Sequence, residues 1–191
     1  MSAIDGLADV FRYTDARRAG VSDRMLQRLR DGGEIEKLGR GLYRLTDRGG
    51  GADLDEIVHR APLATLCLAS AAAHHGLSDE IPATIDVAIP RGQRSPKTAV
   101  PVTWHRFDPA TFEIGRGAVV IDGTAIAIYD ALRTLCDLFR LQHLAGHDVA
   151  VAALRRWLQQ AGAQPSQLLA VAHQFGPRAA TPIRDALAIL L

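Results

Sequence analysis

The apolar positions change their period several times along the chain, and each change marks an element. In "AIDGLADVF", Ile4, Leu7, Ala8 and Phe11 recur three and four apart, which predicts a helix at the start. "TDARRAGVSDRMLQRLRDGG" then predicts two helices about a tight turn. Thr14 stands at the cap of the first and Gly20 at its left-handed close; Ser22 caps the second, and Gly32-Gly33 stops it. In the second helix Val21, Met25, Leu26 and Leu29 form the apolar face, while Arg24, Gln27, Arg28 and Asp31 lie largely opposite. After Gly33 the period falls to two. "EIEKL" and "LYRL" alternate about Gly39-Arg40-Gly41, the signature of a tight hairpin.

"TDRGGGADLD" over residues 46–55 reads as a flexible junction. Beyond it, Asp55 to Arg60 predicts a short helix, and "LATLCLAS" a buried segment running into the helix "SAAAHHG". "ATIDVAIP" and "VPVTWHRF" alternate as strands around the polar loop "RGQRSPKTA", and "AVVIDGTAIAI" gives two more strands about Asp122-Gly123. From Tyr129 the period returns to 3.6: "DALRTLCDLFRL", "DVAVAALRRWLQQAG", "QPSQLLAVAHQF" and "AATPIRDALAILL" predict four helices. The fold class expected is therefore α+β. A winged helix-turn-helix domain over residues 1–48 precedes a mixed α/β domain over 55–191 with a C-terminal helical part.

Composition adds restraint. The chain is 48% hydrophobic and 23% charged with a net charge of +1, ordinary for a folded protein, so global charge makes no case for nucleic acid. The case rests on clustering. Between Arg12 and Arg44 the cations Arg12, Arg17, Arg18, Arg24, Arg28, Arg30, Lys37, Arg40 and Arg44 outnumber the acids Asp15, Asp23, Asp31, Glu34 and Glu36. A basic head of this kind suits phosphate neutralisation. Arg24, Gln27 and Arg28 suit base edges, with Arg fitting guanine and Gln fitting adenine. Arg17, Arg18, Lys37 and Arg40 would hold phosphates, with Ser22 capping the recognition helix. The plain alternative is a solvated, charge-laced face whose acids pair with its arginines.

Cys67 and Cys136 sit in apolar surroundings and read as buried small hydrophobes of a reducing compartment. No ligand-spaced Cys/His set occurs, and no metal or cofactor is expected. The N-terminus has no signal-peptide pattern and no long apolar run is present, which points to the cytoplasm and away from membranes. His143 and His147 in "HLAGH" read as exposed loop residues. Trp157 reads as core, with a partner anchor as the alternative. Arg91, Arg94 and Lys97 follow a strand and fit a second phosphate contact, an acidic-partner contact or a solvated loop. In the second domain His75, Arg133 and Asp137 form the polar candidates. Arg133 and Asp137 are four apart on one helical face, and an Arg–Asp–His network would lock the helices to the sheet. The alternative is a polar site for a partner or nucleotide. No Gly-rich kinase loop or Walker A sequence is present.

Several stretches resemble AbiEi-family antitoxins. "GVSDRMLQRLRDGGEIEKLGRGLYRL" is similar to the family's N-terminal domain. "SAAAHHGLSDEIPATIDVAIPRGQR" is similar to its Ser-Ala-…-His-Gly-Leu segment and following strand, and "DALRTLCDLFR" to its Arg-Thr-x-x-Asp helix. "AIAIYDALRTL" departs from the Thr-Ser-Pro approach to that helix that relatives more often carry. The resemblance implies an antitoxin that binds inverted repeats of double-stranded operator DNA as autorepressor and neutralises a cognate nucleotidyltransferase-type toxin. It leaves open a chain that only binds the toxin, and one that modifies the toxin by an unconventional kinase-like phosphorylation. Oligomeric state is not readable.

Overall fold

In a computed structural model, the described residues are Ile4, residues 6–46 and residues 52–191. The chain divides into two units. The first comprises Met1–Pro62, Pro96–Val100 and Val120–Ala125; the second comprises Leu63–Ser95, Pro101–Val119 and Ile126–Leu191.

The first unit opens with strand β1 (Val10–Arg12), followed by helices α1 (Tyr13–Arg18) and α2 (Asp23–Asp31). Strands β2 (Ile35–Gly39) and β3 (Leu42–Leu45) come next, and then helix α3 (Ala52–Arg60). Its sheet runs β1-β3-β2, with both pairings antiparallel.

The opening helix is a correction. Among the described residues before Tyr13 the chain turns and then enters a strand, with Val10, Phe11 and Arg12 opposite Arg44, Tyr43 and Leu42. Burial here follows period two. Phe11 joins Leu26, Leu29 and Ile35 on one face of the sheet, Val10 joins Leu42 on the other, and Ala8 is exposed. Pairing with β3 satisfies backbone groups that a short helix interrupted by Gly6 would leave poorly bonded.

Both helix ends close as local chemistry dictates. After α1, Gly20 takes φ +84°, its N–H reaches the Arg17 carbonyl, and the Val21 N–H reaches that of Ala16. After α2, Gly33 takes φ +75°, with the same two bonds made by Gly33 to Arg30 and Glu34 to Leu29. These are the paired bonds of a Schellman closure, and buried Val21 against buried Ala16 supplies its apolar contact. Ser22 Oγ accepts from the Met25 N–H at 3.2 Å and so caps α2. Thr14 does not cap α1. It lies inside the helix, and Asp15 Oδ2 accepts from the Arg12 N–H at 3.0 Å instead.

Residues 47–51 of the junction expected over 46–55 lie outside the described residues, and its last four residues, 52–55, begin α3. Helix α3 packs against β1.

A second, five-stranded sheet holds strands β4 (Thr65–Leu66), β5 (Ile85–Pro90), β6 (Val102–Phe107), β7 (Arg116–Ile121) and β8 (Thr124–Tyr129). Their order is β6-β5-β4-β8-β7. The β4–β5 pair is antiparallel, while β4–β8 and β5–β6 are parallel. Asp122 and Gly123, both at positive φ (48° and 84°), make the turn between β7 and β8. The helices are α4 (Leu68–His74), α5 (Ala131–Arg140), α6 (Gln142–Ala145), α7 (His147–Leu158), α8 (Pro165–His173) and α9 (Pro177–Leu190). α5 is the hub. Arg133 through Phe139 are all buried, and α4, α7, α8 and α9 pack around it. Trp157, Cys67 and Cys136 belong to this core. The architecture is a mixed α/β fold with a helical C-terminal part. Among the described residues no helix is long and apolar enough to cross a membrane.

Candidate nucleic-acid interface

In α2 the buried residues are Leu26 and Leu29, which turns Arg24, Gln27 and Arg28 outward to solvent. The hairpin of β2 and β3 follows directly and packs against α2 through β2. At its tip Gly41 has φ +69°, a conformation open to glycine, and its carbonyl accepts from the Tyr13 N–H at 2.8 Å. The tip is thus fastened to the first residue of α1, with Lys37 and Arg40 exposed on it.

The basic residues of this unit fall into two groups. Arg17 lies 4.0 Å from Asp23 and donates to the Val21 carbonyl; Arg18 lies 3.8 Å from Asp15 and is 84% exposed. Arg30 pairs with Asp31 at 3.2 Å. Arg44 is held between Glu36 at 2.5 Å and Asp53 at 3.2 Å, and Arg12 donates to the His59 carbonyl at 3.3 Å. The side chains of Arg24, Arg28, Lys37 and Arg40 have no hydrogen bond or ion pair among the described residues. The sequence alone treated all of them as one basic excess. The structure withdraws Arg12 and Arg44 from it, because both are engaged by α3.

Beside Gln27 lies a shallow polar depression lined by Tyr13, Asp23, Leu26, Gln27, Arg30 and Tyr43. Tyr13 Oη donates to Asp23 Oδ1 at 2.7 Å, and this bond pushes the phenol above its usual range. Tyr13 and Asp23 were missed in the sequence, which places them ten residues apart on different helices.

In the second unit Arg133 and Asp137 meet as their spacing predicted. Arg133 Nε donates to both Asp137 oxygens at 3.0 Å, and both side chains are fully buried. Arg133 Nη1 donates to the Thr111 and Ile114 carbonyls at 2.6 and 2.7 Å, which holds α5 to the loop before β7. The guanidinium stands 4.1 Å from the Tyr129 ring centre and 4.5 Å from that of Phe175. The faces of these rings meet a cation whose Nη2 has no other acceptor among the described residues. Burial pushes the Asp137 carboxyl up, against the pull of two guanidinium groups.

The third member of this network is a correction. His75 does not join it; the ring follows the end of α4, and its Nε2 lies 2.7 Å from the Tyr129 carbonyl. Arg140 takes the expected place, with Nε donating to Asp137 Oδ1 at 2.7 Å. The signal was present: 133, 137 and 140 share one helical face.

The remaining candidates stand apart. Arg91 lies 3.6 Å from Asp108, and Arg94 and Lys97 are exposed with no partner among the described residues. His143 and His147 are exposed, and the described residues hold no group of three or more His, Cys, Asp or Glu able to bind a metal.

No curated protein matches the chain. Residues 3–46, which include α1, α2 and the hairpin, match the model of a family described as "Transcriptional regulator, AbiEi antitoxin". The resemblance read from the sequence therefore finds a counterpart over the segment that carries the unpartnered cations, and there the chain is similar to AbiEi antitoxin-type transcriptional regulators.

Proposed function

We propose that this protein is an antitoxin and autorepressor that reads its operator through a winged helix-turn-helix head in residues 1–48. In this reading α2 is the recognition helix, the β2–β3 hairpin is the wing, and residues 55–191 form the α/β domain that neutralises a nucleotidyltransferase-type toxin. One observation carries the DNA assignment. Arg24, Arg28, Lys37 and Arg40 lack partners among the described residues, while the arginines around them have acceptors. An exposed arginine without a carboxylate is free to exchange its counterions for phosphate. Arg24, Gln27 and Arg28 project from α2 toward base edges; Lys37 and Arg40 reach the backbone from the wing, and Arg17 and Arg18 add phosphate contacts at half-satisfied positions. The family description of residues 3–46 supports both halves of the reading.

The test is binding of the purified chain to the DNA upstream of its own gene, against a scrambled duplex, across a salt series. Preference of about a thousandfold with a steep salt slope is the expected result. Weak binding with no preference would transfer the head to toxin contact alone. Co-expression with the neighbouring toxin, followed by mass measurement of that toxin, separates neutralisation by grip from neutralisation by covalent modification.

A further inference from the structure

Helix α3 lies beyond the residues that match the family, yet each strand of the head sheet is tied to it by an arginine. Arg12 of β1 donates to the His59 carbonyl, and Arg44 of β3 donates to Asp53 at 3.2 Å. The third tie runs the other way: Arg60 of α3 donates Nη2 to the Leu38 carbonyl in β2. This last contact falls next to the hairpin tip. Gly39 admits it, since a Cβ there would stand 2.9 Å from Arg60 Nη2.

The Arg60 guanidinium is itself held. Its Nε donates to Glu56 Oε1 at 2.7 Å, one turn back on α3, and the Glu56 carboxylate is fully buried. Both Glu56 oxygens also lie 3.1 Å from the Ala99 N–H, within the same unit. A buried carboxylate bonded on both sides fixes the orientation of the fork that grips β2. Between Lys37 and Gly39 the ladder register slips, so the strand pairing alone leaves this part of β2 loosely specified.

We propose that Arg60 is a positioning residue for the wing: through Leu38 and Gly39 it fixes the hairpin so that Lys37 and Arg40 stand ready for phosphate before DNA arrives. The inference rests on the DNA-reading assignment above. Arg60 touches no phosphate itself, and its work is to lower the ordering cost that a loose hairpin would meet on binding. Charge and order therefore separate. Removing Lys37 or Arg40 removes a counterion-releasing contact; weakening Arg60 leaves the contacts in place and loosens them.

The experiment uses the full chain with two variants that leave the wing cations untouched. Arg60→Lys keeps a cation beside Glu56 but loses the fork. Gly39→Ala drives the guanidinium off the strand by steric contact, at a position whose φ suits any residue. Hydrogen exchange of the amides of residues 37–42 in the free protein should quicken about tenfold in both. Affinity for the upstream DNA should fall about five- to tenfold with the salt slope unchanged, and this loss should vanish in a Lys37→Ala/Arg40→Ala background. Unchanged exchange would overturn the inference. So would a loss that persists in the double-alanine background, or a salt slope reduced by one charge, which would make Arg60 a phosphate ligand. Faster exchange in both variants, beside a wild-type chain that shows no DNA preference, would leave the clamp standing and sink the DNA reading instead.

Discussion

The α2–hairpin surface and the core around α5 use their cations in opposite ways. In the first, Arg24, Arg28, Lys37 and Arg40 stand in solvent without partners among the described residues. In the second, Arg133 is fully buried, Arg140 is partly buried, and both are bonded to one carboxylate and faced by aromatic rings. Full solvation makes the first group cheap to keep and available to an outside anion. Desolvation makes the second costly unless every interaction is satisfied, and so confines it to an internal role. Residue type says little about use here; the acceptors within reach say most of it.

The contrast breaks most sharply at Asp137. Asp137→Ala removes the carboxylate that Arg133 and Arg140 share and leaves buried cations without their counter-charge. A loss of about 3–5 kcal/mol is expected in denaturant unfolding of the full chain. Gly115→Ala attacks the same cluster from the side. Gly115 has φ +68°, and a Cβ there would meet Arg133 Cβ at 2.6 Å. Backbone strain and overpacking together should cost at least about 2 kcal/mol, read as a lower denaturation midpoint. Neither variant should alter DNA affinity per folded molecule.

Arg28→Ala tests the other side. It should weaken operator binding by about 1–3 kcal/mol and relax base preference, with unfolding stability within about 0.5 kcal/mol of wild type. A stability loss as large as that of Asp137→Ala would erase the contrast.

The buried thiols extend the comparison to pH. Burial holds the Cys136 thiol up to about 12 from 9.0, and pushes Cys67 well above its ordinary value. Between roughly pH 9 and 12 the folded chain keeps protons that the unfolded chain has lost, so stability should fall as pH rises. Cys136 alone should contribute up to about 1.4 kcal/mol per pH unit across that window. Urea titrations at pH 8 and pH 10 check the sign, and a stability unchanged between them would show the thiols to be solvated. Smallest in affinity is Arg40→Ala. It should weaken every DNA sequence alike and flatten the salt slope by about one charge, measured as binding across a salt series.

What was legible in the residues was whatever rests on neighbours in sequence. The Ser22 cap, the left-handed closures at Gly20 and Gly33 and the Asp122-Gly123 turn depend on bonds a few residues long. So do the outward face of α2 and the Arg133–Asp137 pair, four apart on one helix. Two things were not legible, for the same reason. The apolar spacing of Ile4, Leu7 and Phe11 fits a helix, but Val10 and Phe11 pair with β3, more than thirty residues away, and the sheet takes them. Likewise the count of cations could not say which were free. Arg12 finds its acceptor 47 residues on, in a helix the hydrophobic pattern assigned to the other domain, and Arg60 of that helix finds its own 22 residues back, in β2. Short-range chemistry is written in the order of the chain; long-range pairing is decided by which surfaces the fold desolvates together.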